Sequence, residues 1–188
     1  MKVAVFIDNS NVFKSISRIK RSSDAFWPSL YDPLFLSQKL AGNNRELVSV
    51  NFYCTLPPIT MLQEGENMVK KHNTSKKYYS VIEKMPLVEV KYGELAGPRK
   101  DLKEKNLDTQ LTADVIVGAA SGKYDVAIIV SNDGDYVSAV EAVKQFGIKV
   151  EVVFFKDGLS MALRRACDLT RRVRRSYFKL LDLYKFKG

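Results

Sequence analysis

Apolar and polar positions along this chain switch period repeatedly, and each switch marks a change from strand to helix. The clearest run is Val126 to Val130, five apolar residues of which four are β-branched. A run without polar alternation reads as a strand buried on both faces, as in parallel sheets. Residues 2–7 form a first strand that ends in Asp8-Asn9-Ser10-Asn11. Val12, Phe13, Ile16 and Ile19 then follow helical spacing, with Asn9 or Ser10 as the cap. A second helix covers 32–40 and stops at Gly42-Asn43. Strands over 47–55 and 87–92 flank a long polar helix over 60–84, and 93–102 is a basic loop. A helix opening within 103–108 runs through Leu111, Val115, Ile116 and Ala119 to Gly122. Beyond the strand 126–130 come a helix over 136–146, a fifth strand over 148–155, a short helix over 158–167 and an amphipathic stretch over 177–186. Strands separated by helices in this order predict an α/β, doubly wound three-layer sandwich on a mostly parallel sheet of about five strands.

With 188 residues the chain is expected to form one domain, carrying a basic helical extension from about residue 158. No apolar stretch approaches the roughly 18 residues of a membrane span, and the N-terminal apolar run is too short for a signal peptide. Cys54 and Cys167 lie far apart without metal-ligand spacing, which points to a cytoplasmic protein. The net charge of +9 favours a polyanionic partner, nucleic acid ahead of a membrane surface. The one histidine, His72, sits in a polar lysine-rich run, so mechanisms built on a histidine base or on several histidine ligands are nearly excluded.

Parallel sheets hold their ligands beyond the carboxyl ends of the strands. Asp8 closes the first strand, and Asp133 and Asp135 follow the strand 126–130. If those strands are neighbours, the three acids converge, and the first turn of the helix carrying Asp108 can face the same cleft. Packed carboxylates repel unless a cation neutralises them, and oxygen-only ligands suit Mg²⁺ or Mn²⁺. Such an ion activates water and stabilises charge developing on a phosphoryl oxygen. Each residue also has a plain structural reading. Asp8 and Asn11 can be turn and cap chemistry, and Asp108 can be favoured by the helix dipole. Asp114, about 120° around the helix from Asp108, is either a functional carboxylate or a boundary residue. Lys70, Lys71, Lys76 and Lys77 with Tyr78 and Tyr79 suit a nucleic-acid backbone with bases stacked on rings, or else an exposed helix with its tyrosines on the sheet. Arg99 and Lys100 lie in a loop suited to ordering on substrate. Arg164, Arg165, Arg171, Arg172, Arg174 and Arg175 put six arginines into twelve residues, a density that favours phosphate contacts over a merely solvated face.

Three segments together carry a family resemblance: Phe6-Ile7-Asp8-Asn9-Ser10-Asn11, then Lys105-Asn106-Leu107-Asp108 with Asp114, then Ser131-Asn132-Asp133-Gly134-Asp135-Tyr136. The pattern, over residues 1 to roughly 155, resembles the NYN domain family, closest to its LabA-like bacterial branch (the DUF88 group), relatives of PIN-domain nucleases. The resemblance implies a PIN-like Rossmannoid fold and a metal-dependent ribonuclease using Mg²⁺ or Mn²⁺. It gives Asp8, Asp108, Asp133 and Asp135 the acidic metal-site roles. It has Asn11 position water or phosphate, Ser131 support the loop, and Asp114 and Lys105 stand as supporting positions. From their charge, and not from the resemblance, whose core match ends before the basic C-terminal tail, Arg99, Lys100, Arg171, Arg172, Arg174 and Arg175 are expected to hold RNA, single-stranded or structured; a homodimer is compatible, a membrane partner is not. The family often has glycine where Asn106 and Asn132 stand, and because asparagine tolerates left-handed backbone, Asn132 is expected to preserve the turn. The alternative from a different class is a non-catalytic RNA-binding or regulatory module of the same fold. A Toprim-like domain would need a glutamate where Asp8 stands, and no G-x-G-x-x-G follows the first strand to support a nicotinamide or flavin enzyme.

Overall fold

The computed structural model describes residues 1–22, 26–56, 65–96, 103–155, 158 and 160–183. Its strands are β1 (Lys2–Asp8), β2 (Glu46–Thr55), β3 (Val88–Ala96), β4 (Lys103–Lys105), β5 (Val126–Val130), β6 (Lys149–Phe154) and β7 (Leu169–Arg172), arranged β4-β3-β2-β1-β5-β6-β7. Six of them run parallel, and only the short β4 pairs antiparallel, against β3. The sheet is therefore wider than the five strands the pattern predicts. The two additional strands, Lys103-Glu104-Lys105 and Leu169-Thr170-Arg171-Arg172, are short and polar. They are strands because an edge was available to pair with, which apolar periodicity does not record.

Helices α1 (Asn9–Ser22), α2 (Pro33–Ala41) and α3 (Glu66–Ile82) cover one face of the sheet. The other face carries α4 (Leu107–Ala120), α5 (Val137–Lys144) and α6 (Met161–Ala166). The alternation of β1 decides which side chain meets which layer. Val3, Val5 and Ile7 join Val12, Ile16, Leu36 and Ile82, while Ala4 and Phe6 join Leu111, Val115 and Val140. All five residues of β5 are buried, as expected of a strand covered on both faces. The limits of α2 follow its local chemistry: the Asp32 carboxylate accepts from the Phe35 N–H at 2.9 Å, and Gly42 leaves the helix at φ 73°.

Three sequence expectations shift. The polar helix starts at Glu66, and the first residues predicted for it lie outside the described ones. Tyr78 and Tyr79 pack with Tyr31 and Phe52 and donate to the Tyr31 and Thr55 carbonyls, so neither ring is free to stack on a base. As far as residue 183, where the described residues end, the stretch from Arg175 is not an amphipathic helix. It makes one 3₁₀ turn and then runs extended, with Phe178 and Leu181 buried and backbone bonds to Leu30 and Asp32. No helix among the described residues is long and apolar enough to cross a membrane.

Candidate active site at the carboxyl edge of the sheet

The chain leaves β1 toward β2 and β3, then returns to lay β5 on the other side of β1. That reversal is the switch point at which open parallel sheets hold ligands. Ile7 is in register with Val130, so Asp8 and the segment from Ser131 emerge side by side.

Asp8 is 7% exposed, and protein donors meet both of its oxygens. Oδ1 accepts from the Asn11 N–H at 3.0 Å; Oδ2 accepts from the Ser131 hydroxyl at 3.1 Å and faces the Tyr136 hydroxyl at 3.3 Å. Tyr136 also donates to Asp108 Oδ1 at 2.7 Å. One phenol thus stands between two carboxylates delivered by different elements, the end of β1 and the first turn of α4. Burial, then the Asp8 charge and the bond to Asp108, push the Tyr136 phenol far above its ordinary range, so it stays a proton donor. Sequence reasoning included Tyr136 in the motif and gave it no role. The available signal was a hydroxyl-tipped aromatic immediately after the acidic turn, a residue type that seeks a partner when buried.

Around this pair the loops are cross-tied. Asn11 Oδ1 accepts the Asn132 N–H at 3.1 Å, Asn132 Oδ1 accepts the Phe155 N–H at 2.9 Å, and the Ser131 hydroxyl accepts the Asp133 N–H at 3.1 Å. Asn132 is therefore not a left-handed turn residue, as expected, but a tie between the ends of β5 and β6. The left-handed asparagine is Asn106, at φ 70°, where the chain turns from β4 into α4. Asp133 Oδ1 accepts the Asp135 N–H at 3.1 Å and caps the 3₁₀ turn Gly134–Tyr136. Asp135 and Asp108 are exposed.

Two glycines allow this packing. A Cβ on Gly134 would lie 2.7 Å from Ser160 Oγ, so a larger residue in the acidic turn would have to displace the side chain that caps α6. A Cβ on Gly93 would lie 2.3 Å from Leu107 Cγ, at the start of α4. Gly93→Ala should therefore push the first turn of α4, with Asp108, off β3. The expected result in a denaturant melt is a loss of about 1–3 kcal/mol, typical of overpacking.

Asp114 stands apart from this network. Its Oδ2 accepts from the Tyr53 hydroxyl at 2.8 Å and pairs with Lys91 Nζ at 3.2 Å, a structural contact between α4 and the sheet. Lys105 contributes backbone to β4. Arg99 and Lys100 lie outside the described residues. Arg171, expected at phosphates, instead pairs with the buried Glu151 and donates to the Leu40 carbonyl at 2.9 Å. Arg172, Arg174 and Arg175 are exposed, and Arg175 Nε donates to the Phe26 carbonyl at 2.8 Å. Because β7 is parallel to β1 and three strands away, Arg172 ends on the same edge as Asp8, about 14 Å along the sheet.

Among the described residues no three His, Cys, Asp or Glu side chains stand close enough to share one ion. The Asp8–Asp108 pair nevertheless has the right donor chemistry for a hard divalent cation, hard oxygens without sulfur or nitrogen.

Fold and site together define a PIN-like α/β domain with an acidic switch-point site. A family model for the NYN domain matches residues 2–172, and the chain belongs to that family, whose members are nuclease-like, RNA-related domains. The match extends past residue 155 to include α6 and β7. Among solved structures, a protein of unknown function from Vibrio parahaemolyticus has a TM-score of 0.65 and 20% identity, over 95% of this chain and 96% of that one. No curated protein matches the chain.

Proposed function

We propose that this chain is a metal-dependent ribonuclease hydrolysing RNA phosphodiesters at the Asp8–Asp108 pair. The observation that carries the reading is the single Tyr136 hydroxyl shared by those two carboxylates. Membership of a nuclease-like family and the net charge of +9 support it. Asp8 and Asp108 would hold Mg²⁺ or Mn²⁺, with Asp133 and Asp135 within the same loop cluster. Bound there, the ion would supply Lewis acidity toward water and a phosphoryl oxygen. The chain's own groups do the positioning. Asn11 and Ser131 fix the Asp8 carboxylate from both sides, Tyr136 orients Asp108, and Arg172 and Arg174 attract the backbone along the edge.

A second reading, a non-catalytic RNA-binding module, has one observation in its favour: protein donors already meet both oxygens of Asp8. Asp108→Asn separates the two, since Asp108 is exposed and its loss leaves the core intact. The nuclease reading expects Mn²⁺ binding by calorimetry and Mg²⁺-dependent cleavage to fall together, with RNA binding kept or tightened. Undiminished cleavage by the purified variant sinks the assignment.

A further inference from the structure

We propose that the cleft between α1 and α3 is a track for single-stranded RNA leading to the acidic site, with Phe13 stacking on a base and Lys70 and Lys71 holding phosphates. The inference rests on the nuclease reading for its direction but not for its chemistry. The cleft has a volume of about 630 Å³ and is lined by Phe13 from α1 and by Asn67, Lys70, Lys71 and Thr74 from α3. It adjoins a second hollow of about 710 Å³ on the neighbouring face of α3, with Lys70 and Thr74 on the ridge between the two.

The location follows from topology. Helices α1 and α3 follow the parallel strands β1 and β2, so both begin at the edge where Asp8 lies. Phe13 is five residues beyond Asp8, about 8 Å along the helix axis. Asn11, two residues before it, is tied to the Asn132 loop. The surface chemistry matches the ligand. Phe13 is 50% exposed, while its neighbours Val12 and Ile16 are fully buried. Its ring has no aromatic or cationic partner among the described residues. Lys70 and Lys71 are exposed and form no ion pair among those residues. An exposed ring beside unpaired lysines and short polar groups is how sequence-tolerant single-strand sites are built, with stacking for the base and charge for the backbone. Among the described residues the two hollows are lined by the apolar side chains Phe13, Leu30 and Val69, with Lys70 and Lys71 against one acid, Glu66, and it is this positive balance that favours a polyanion over an apolar protein helix.

The test is fluorescence anisotropy with a labelled, unstructured RNA 12-mer, in EDTA so that no turnover intervenes. Phe13→Ala should weaken binding roughly five- to a hundredfold, and Phe13→Trp should restore it. Lys70→Gln and Lys71→Gln should each reduce the slope of log affinity against log salt by about 0.7. Thermal melting should be unchanged in all four, because these side chains lie at the surface. Wild-type affinity in Phe13→Ala and both lysine variants overturns the track. Cleavage assays with Mg²⁺ on the same proteins separate it from the nuclease reading. Phe13-dependent binding by a protein that never cuts RNA keeps the track and removes the nuclease. Cleavage by a protein whose binding ignores all three substitutions does the reverse.

Discussion

Asp8→Asn should leave the protein folded and reduce the metal-dependent cleavage of RNA proposed above by more than about 100-fold, beyond the range expected for a merely outer-sphere partner. The argument depends on which atoms Asp8 meets. Oδ1 accepts a backbone N–H that only an oxygen can receive, and Oδ2 faces two hydroxyls, those of Ser131 and Tyr136. An asparagine can keep its carbonyl oxygen toward Asn11 and point its amide at the hydroxyls, which rotate to accept; Tyr136 still donates to Asp108. Shape and hydrogen bonding survive while the charge that would hold a cation is lost. Asp8→Ala removes both and should be worse folded, by about 2–4 kcal/mol for the donors it strands. In a chain of this size that lowers the melting temperature by roughly 5–15 °C. The pair of variants separates chemistry from architecture. Asparagine protein that cuts within tenfold of wild type would reduce Asp8 to a turn residue.

Much of this architecture can be read in the amino-acid order, and the parts that cannot share a physical cause. Buried strands such as β5 and the core face of α1 announce themselves because burial dictates every position. The two missed strands are four residues or fewer, and their pairing energy comes from the edge of a preceding strand, which their own polar sequence does not record. The placement of Asp8 and Asp133 on the carboxyl edge was legible because strand ends in a parallel sheet are the place to look for acids, and that of Asp108 only through the first turn of its helix and the family resemblance. Their relationship was not, because it passes through Tyr136, a residue whose hydroxyl matters only once α4 has been placed over β1. Asp114 illustrates the opposite case: an acid in the right motif that the fold commits to Tyr53 and Lys91. Asn132 and Asn106 show the same limit for the backbone. Asparagine at a glycine position permits left-handed φ, and only the tertiary path shows that Asn106 uses it while Asn132 does not.

The same distinction makes Arg171 and Glu151 the strongest stability prediction. Glu151 lies on β6 and is 9% exposed. It accepts from Arg45 Nη1 at 2.6 Å through one oxygen and from Arg171 through the other. Arg45 also donates to the carbonyls of Leu40 and Ala41, both at 2.8 Å. One carboxylate thereby joins the end of α2, the turn into β2, the inner strand β6 and the edge strand β7. Glu151→Ala leaves two guanidinium groups half-buried against each other without a counter-charge. Breaking a buried pair in this way costs about 3–5 kcal/mol, which should lower the melting temperature by roughly 6–20 °C. Arg171→Met should cost much less. The Arg45–Glu151 pair survives it, and Arg171 Nε has no hydrogen-bond partner to lose. The arginines of the tail can then be sorted by salt dependence. Arg172→Gln and Arg174→Gln should each reduce the RNA-binding salt slope by about 0.7 without moving the melt, whereas Arg171→Met should leave the slope unchanged. If Arg171→Met reduces the slope as the other two do, this arginine reaches RNA after all, and the ion pair with Glu151 is not what keeps it in place.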